Sequence, residues 1–222
     1  MEGARTPLDG VVGRIEAAAT GRPIRLVAVS KTQPAAAVRQ LGEAGQRAFG
    51  ENYVQEAVAK IAELGELPLE WHFVGPLQSN KCREVARHFD WMQSLDRAKL
   101  IEPLARHRPP ERLPLAVLVQ VNVDDETSKS GCAPDAVPAL ADAVAAEPRL
   151  ALRGLMAIPA PHRDFALRRA AFARMRALYD ALKARHPGVD TLSMGMSEDF
   201  ELAIAEGATM VRIGTALFGN RT

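Results

Sequence analysis

Residues 26–34 read LVAVSKTQP. Four apolar residues and a serine make a buried strand, which then runs straight into a lysine at the point where it should be leaving the core. Pro34 follows at once and opens a helical stretch over 34–44, because its fixed φ suits a first helical turn. A second short apolar run, RAFG at 47–50, comes next. Strand, helix and strand in immediate succession require a crossover connection, and a crossover makes the two strands parallel. The reading of this stretch carries along the chain. Further strand-like runs are WHFVG (71–75), FDWMQS (89–94), LAVLVQVNV (115–123), LRGLMAI (152–158), DTLSMG (190–195) and TMVRIG (209–214). Helical spacing fills the gaps at 53–64, 79–88, 96–107, 134–146, 165–185 and 198–206, with TALFGN as a last short turn. Eight strands alternating with helices predict a parallel sheet closed into a (β/α)8 barrel. A doubly wound open sheet is the competing architecture, and the first strand is not followed by the GxGxxG that would favour it. Such barrels run to ~250 residues from a lower limit of about 200, so 222 residues fit if the loops are short. The helical segment 7–20 precedes the first strand and is expected to pack outside the barrel. The whole chain, 1–222, is expected to be one domain.

Composition narrows the function. Lys and Arg number 28 against 27 Asp and Glu, a net charge of +1, so no global basic field attracts nucleic acid and an anion must be bound locally. No apolar run approaches the ~20 residues of a membrane span, and the N-terminus lacks a signal-like apolar region, which predicts a cytoplasmic protein away from membranes. Cys82 and Cys132 have neither CxxC spacing nor histidines at ligand spacing, so neither a disulfide nor a zinc site is expected.

In a barrel of this kind the site lies where the strands end. Those segments are polar and specific: Lys31, GENY (50–53), GPLQSNK (75–81), QSLD (93–96), NVDDETSKSG (122–131), AIPAP (157–161), MGMSED (194–199) and IGTALFG (213–219). Ser197 before one short helix, and Gly214 with Thr215 opening another, bring helix N-termini and two hydroxyls to the place where barrels commonly hold a phosphate. Arg212 is placed to point inward beside them. A partly desolvated lysine is more readily neutral, and a neutral amine condenses with an aldehyde. A phosphate cradle facing such a lysine suits a molecule that carries both an aldehyde and a phosphate, pyridoxal 5′-phosphate (PLP).

Each residue also has a plainer reading. Lys31 would be a snorkelling surface lysine, Ser197 the N-cap of helix 198–206, and Gly214 a tight-turn glycine. Arg212 would pair with Glu198 or Asp199. His72 reads as a hydrogen-bonded barrel residue rather than a base. Gln78, Asn80 and Lys81 either line the mouth or cap the following helix. Lys129 is a loop lysine or a second amine that meets the cofactor in transit. No role falls to His88, His107, His162 or His186.

The motifs AVSKTQP, FGENYVQE, WHFVGPLQSNK and SMGMSEDFELAIAEGATMVRIGTALFG, in this order, resemble the pyridoxal phosphate homeostasis proteins, the YggS/PROSC family, over about 26–219. The resemblance implies a barrel like the alanine racemase N-terminal domain, with PLP held as an aldimine on Lys31. It further implies phosphate contacts from Ser197, Gly214 and Thr215, Arg212 near the pyridine nitrogen, and Asn52 as a candidate ring-facing residue. A non-catalytic monomer that binds, buffers and delivers the cofactor to PLP-dependent apo-enzymes is the expectation. The alternative is a racemase-like enzyme. Alanine racemases carry a second, mostly β domain with a tyrosine base, for which a chain ending at Thr222 is expected to have no room, and the only tyrosines are Tyr53 and Tyr179. A lysine-dependent aldolase acting on a sugar phosphate is a third, weaker fit.

Overall fold

The computed structural model describes residues 6–124, 130–160 and 164–219. Eight strands form a closed barrel in chain order: β1 Arg25–Val29, β2 Ala48–Glu51, β3 Glu70–Phe73, β4 Trp91–Leu95, β5 Leu115–Gln120, β6 Leu150–Met156, β7 Thr191–Ser193 and β8 Met210–Ile213. All neighbours are parallel, and β1 closes on β8 with Val27 opposite Arg212. The helices are α1 Pro7–Ala19, α2 Ala35–Glu43, α3 Val54–Glu63, α4 Cys82–His88, α5 Ile101–His107, α6 Val137–Ala145, α7 Phe165–Arg185, α8 Phe200–Ala205 and α9 Thr215–Phe218. The sheet predicted from the strand–helix alternation is therefore closed rather than open.

The period-2 alternation of each strand sorts the chain into two cores. Outward residues such as Ala28, Phe49, Phe73, Met92 and Val211 pack with the helices in one large cluster. Inward Val27, Ala48, Trp91, Ala116, Leu118, Met156 and Met210 form a second, inside the barrel. That inner core is small because His72, Gln93, Ser193 and Arg212 share it, all at most 3% exposed. Helix α1 begins with a capping box, in which the Thr6 hydroxyl accepts from the Asp9 N–H and the Asp9 carboxylate accepts from the Thr6 N–H. It packs outside the barrel against α8 and α9, as the sequence predicts. No helix among the described residues is long and apolar enough to cross a membrane.

Four helix starts differ from the sequence reading by two residues or more, two of them because residues 79–81 and 134–136 form 3-10 turns ahead of α4 and α6. Residues 98–100 form a 3-10 turn and the α-helix starts only at Ile101. The stretch read as helix 198–206 becomes α-helical at Phe200, after a turn in which the Phe200 N–H reaches the Met196 carbonyl and the Asp199 carboxylate accepts the Met196 N–H. Asp199, not Ser197, occupies the N-cap position.

Candidate cofactor site at the barrel mouth

At the carboxyl ends of the strands lies a cavity of about 740 Å³, within the usual range for small-molecule sites. Six residues singled out from the sequence line it together: Lys31, Asn52, Ser197, Arg212, Gly214 and Thr215. The strand ends bring them there. Lys31 follows β1 and Asn52 follows β2. Ser197 sits in the turn after β7, Arg212 is within β8, and Gly214 and Thr215 open the single turn of α9. Gln78, Asn80 and Lys81 do not line this cavity. They make the 3-10 turn into α4 without a capping side-chain bond. Lys129 lies outside the described residues.

Two glycines shape the cradle loops. Gly195 has φ +92°, and a Cβ there would come within 2.6 Å of the Ala203 Cβ, so only glycine lets the β7 loop fold onto α8. A Cβ on Gly214 would stand 3.1 Å from the Val29 carbonyl oxygen, which brings the start of α9 close to the strand that delivers Lys31. In a helix of one turn, the N–H groups of Thr215 and Ala216 have no intrahelical acceptor.

Arg212 is 3% exposed. Its Nη1 donates to the Ser193 hydroxyl at 2.6 Å and its Nη2 to the Ala157 carbonyl at 2.8 Å. Among the described residues no carboxylate lies within ion-pair distance, so pairing with Glu198 or Asp199 is not what holds it. Burial pulls its pKa down to about 10, with Asp199 pulling the other way.

Below it runs a directed chain of hydrogen bonds through the barrel. A guanidinium can only donate, so Ser193 accepts from Arg212 and gives its own hydrogen to Gln93 Oε1 at 2.8 Å. That orientation turns Gln93 Nε2 toward His72 Nδ1 at 2.8 Å, and His72 is left to donate from Nε2 to Glu70. The network thus sets the His72 tautomer. Burial lowers the His72 pKa and keeps the ring neutral, in line with its reading as a hydrogen-bonded barrel residue.

Arg168 was not legible in the sequence. It extends from α7 into the cavity lining, and its buried Nε–H has no hydrogen-bond partner among the described residues. With Lys31 and Arg212 it gives the lining three cationic side chains against the carboxylates of Glu198 and Asp199. A donor set of this kind, with one unpartnered N–H and one buried guanidinium lacking a carboxylate, fits an anionic ligand rich in acceptors.

Comparison with known proteins identifies the family. The sequence profile described as alanine racemase, N-terminal domain, matches residues 12–222. The pyridoxal phosphate homeostasis protein of Pseudomonas aeruginosa is 59% identical over 94% of this chain and 90% of its own. That of Escherichia coli K12 is 55% identical over 96% of this chain and 95% of its own. Among solved structures, PipY of Synechococcus elongatus with PLP bound superposes with a TM-score of 0.80 at 41% identity, covering 94% of this chain and all of that one. The chain belongs to the alanine racemase N-terminal domain family and, within it, to the pyridoxal phosphate homeostasis proteins.

Proposed function

We propose that this protein binds PLP at the barrel mouth, covalently through Lys31, and serves PLP homeostasis as a carrier that does not turn over amino acids. The observation that carries the reading is the convergence of Lys31, Arg212, Ser197, Gly214 and Thr215 on one cavity, in a chain whose relatives are named for pyridoxal phosphate homeostasis. When bound, the cofactor supplies an aldehyde that condenses with a lysine amine, releasing water, and a phosphate that needs hydrogen-bond donors. Ser197 and Thr215 offer hydroxyls to that phosphate, the first turn of α9 offers backbone N–H groups, and the Arg168 Nε–H is a further donor. Asn52 faces the cavity from the Lys31 side. Arg212 is the candidate partner of the pyridine nitrogen. A guanidinium there holds that nitrogen as an acceptor, which weakens the ring as an electron sink.

The tyrosines support the non-catalytic reading. Tyr53 is 58% exposed and Tyr179 is buried on α7, and neither lines the cavity. No tyrosine is therefore placed as a base opposite Lys31. General-base assistance commonly contributes ~10²–10⁴ in rate. Incubation of the cofactor-loaded protein with L- or D-alanine in deuterated water, followed by proton NMR of the α position, should show exchange no faster than with free PLP. Exchange at enzymatic rates, lost in Lys31→Ala, would restore the racemase reading.

A further inference from the structure

Behind the Lys31 backbone, between the barrel wall and α3, lies a charge cluster whose Lys60 and Glu51 are buried and whose Glu56 is partly exposed. Lys60 of α3 is 5% exposed, and its Nζ donates to the Ser30 carbonyl at 2.7 Å, to Glu51 Oε1 at 2.8 Å and to Glu56 Oε1 at 2.6 Å. Glu51, the last residue of β2, is fully buried and also accepts from the Ser30 hydroxyl at 2.7 Å. Its second oxygen is buried without a hydrogen-bond partner among the described residues. Glu56 in turn accepts the backbone N–H of Thr32 at 2.7 Å. The cluster therefore grips the chain on both sides of Lys31: Ser30 by carbonyl and hydroxyl, Thr32 by its N–H.

Thr32 has φ +64°, one of two non-glycine residues with positive φ among those described. A β-branched residue seldom adopts this conformation, and it persists only where the surroundings over-determine it. Here the N–H to Glu56 bond is a charge-assisted restraint on that residue. A plainer account makes the cluster a peg that holds α3 to the wall. Apolar side chains of similar volume hold helices to barrels as well or better, because desolvating charges is costly. An apolar peg would also leave no orphan carboxylate oxygen and would have no reason to contact residues 30 and 32.

We propose that Lys60, Glu51 and Glu56 are positioning residues for Lys31: they fix the backbone of Ser30 and Thr32 so that the intervening lysine is presented to the cavity in the one geometry that captures the cofactor. This rests on Lys31 being the covalent anchor.

The experiment measures the rate and affinity of PLP capture by absorbance in Glu56→Ala, Lys60→Met, Thr32→Gly and Glu56→Ala/Thr32→Gly. Each is assayed where circular dichroism shows it folded. Glu56→Ala and Lys60→Met should each weaken capture roughly tenfold. Thr32→Gly alone should stay within about twofold of the parent, since glycine accepts positive φ without strain. Added to Glu56→Ala, it should recover most of the loss, because the restraint that Glu56 supplies is then no longer needed. Glu56→Gln keeps an acceptor for Thr32 and should behave nearly as the parent. If Glu56→Ala does not fold, Lys60→Met with and without Thr32→Gly replaces it. Capture at parental rate and affinity in folded Glu56→Ala and Lys60→Met would overturn the proposal. So would a loss that Thr32→Gly fails to recover and that tracks a lowered unfolding midpoint of the apo-protein. Lys31→Ala, run in parallel with borohydride trapping, keeps the two ideas apart: if it still traps the cofactor, the anchor assignment fails, whatever the cluster does.

Discussion

Two pairs of arginines, one at each end of the barrel, are held in opposite ways. At the floor, where the strands begin, Arg25 pairs with Glu70 at 2.6 Å and Arg153 with Asp190 at 2.5 Å. Both guanidiniums lie over the Trp91 ring, which itself stacks on His72. At the mouth, Arg212 is buried with a hydroxyl and a carbonyl as its partners among the described residues, and Arg168 keeps a buried N–H that has none among them. The chain had the means to pair both arginines, since Glu198 and Asp199 line the same cavity. At the floor the arginine charges are met by carboxylates, whereas among the described residues those of Arg212 and Arg168 are not. Stability should therefore be read at the floor and binding at the mouth.

The largest effect expected from breaking this contrast is at the cradle. Replacing Ser197 and Thr215 together by alanine should weaken PLP binding by about 2–5 kcal/mol, from roughly 1.5–3 kcal/mol per hydrogen bond to a charged group less than fully additive. Pyridoxal, which lacks the phosphate, should not distinguish the double variant from the parent, as a titration of both ligands would show.

A matched pair of substitutions sharpens the comparison. Arg212→Met should weaken PLP binding by about 1.5–3 kcal/mol while leaving urea stability of the apo-protein nearly unchanged, because relief of the guanidinium's desolvation offsets the hydrogen bonds lost to Ser193 and Ala157. Glu70→Ala should do the reverse. It strips the acceptor from His72 and the partner from Arg25, costing about 1–3 kcal/mol of stability with little change in PLP affinity. Equal losses of binding and stability in both variants would dissolve the distinction between mouth and floor.

How far the sequence foretold this division depends on the element. The strands were legible because a short apolar run is a local property, and their carboxyl ends pointed to Lys31, Asn52, Ser197, Gly214 and Thr215 once a barrel was inferred. Arg168 was not legible. It lies in FALRRAAFARMR, where several arginines share a basic helix and spacing does not say which one reaches the mouth. Gln93 and Ser193 could be placed on strands, but their bond joins residues 100 positions apart across the barrel, and no local pattern encodes it. The burial of Glu51 was not legible, because it depends on Lys60 arriving from the next helix. Ser197 looked like a helix cap because the tight turn over 196–200 precedes α8 with the same residue types that start a helix.

The smallest predicted effect concerns pH. Burial holds the His72 pKa below its ordinary value, so below about pH 6.5 the unfolded chain binds a proton that the native state does not. Stability is complete above that pH and falls as pH drops through it, by up to about 1.4 kcal/mol per unit for this one group. His88 is shifted in the same direction by burial and Arg112, so the parent's slope contains both. His72→Gln should remove the His72 share, seen as a shallower fall of urea stability between pH 6.5 and 5. An unchanged slope would mean that the ring does not stay neutral in the core.

The central claim is that the lysine at the end of the first strand holds the cofactor. Borohydride reduction of the PLP-loaded protein, followed by peptide mapping by mass spectrometry, tests it most directly. The account predicts a single pyridoxyl-phosphate adduct on Lys31, with none in Lys31→Ala under the same conditions. An adduct confined to Lys60, Lys81, Lys129 or another lysine, or one that persists in full in Lys31→Ala, would contradict it.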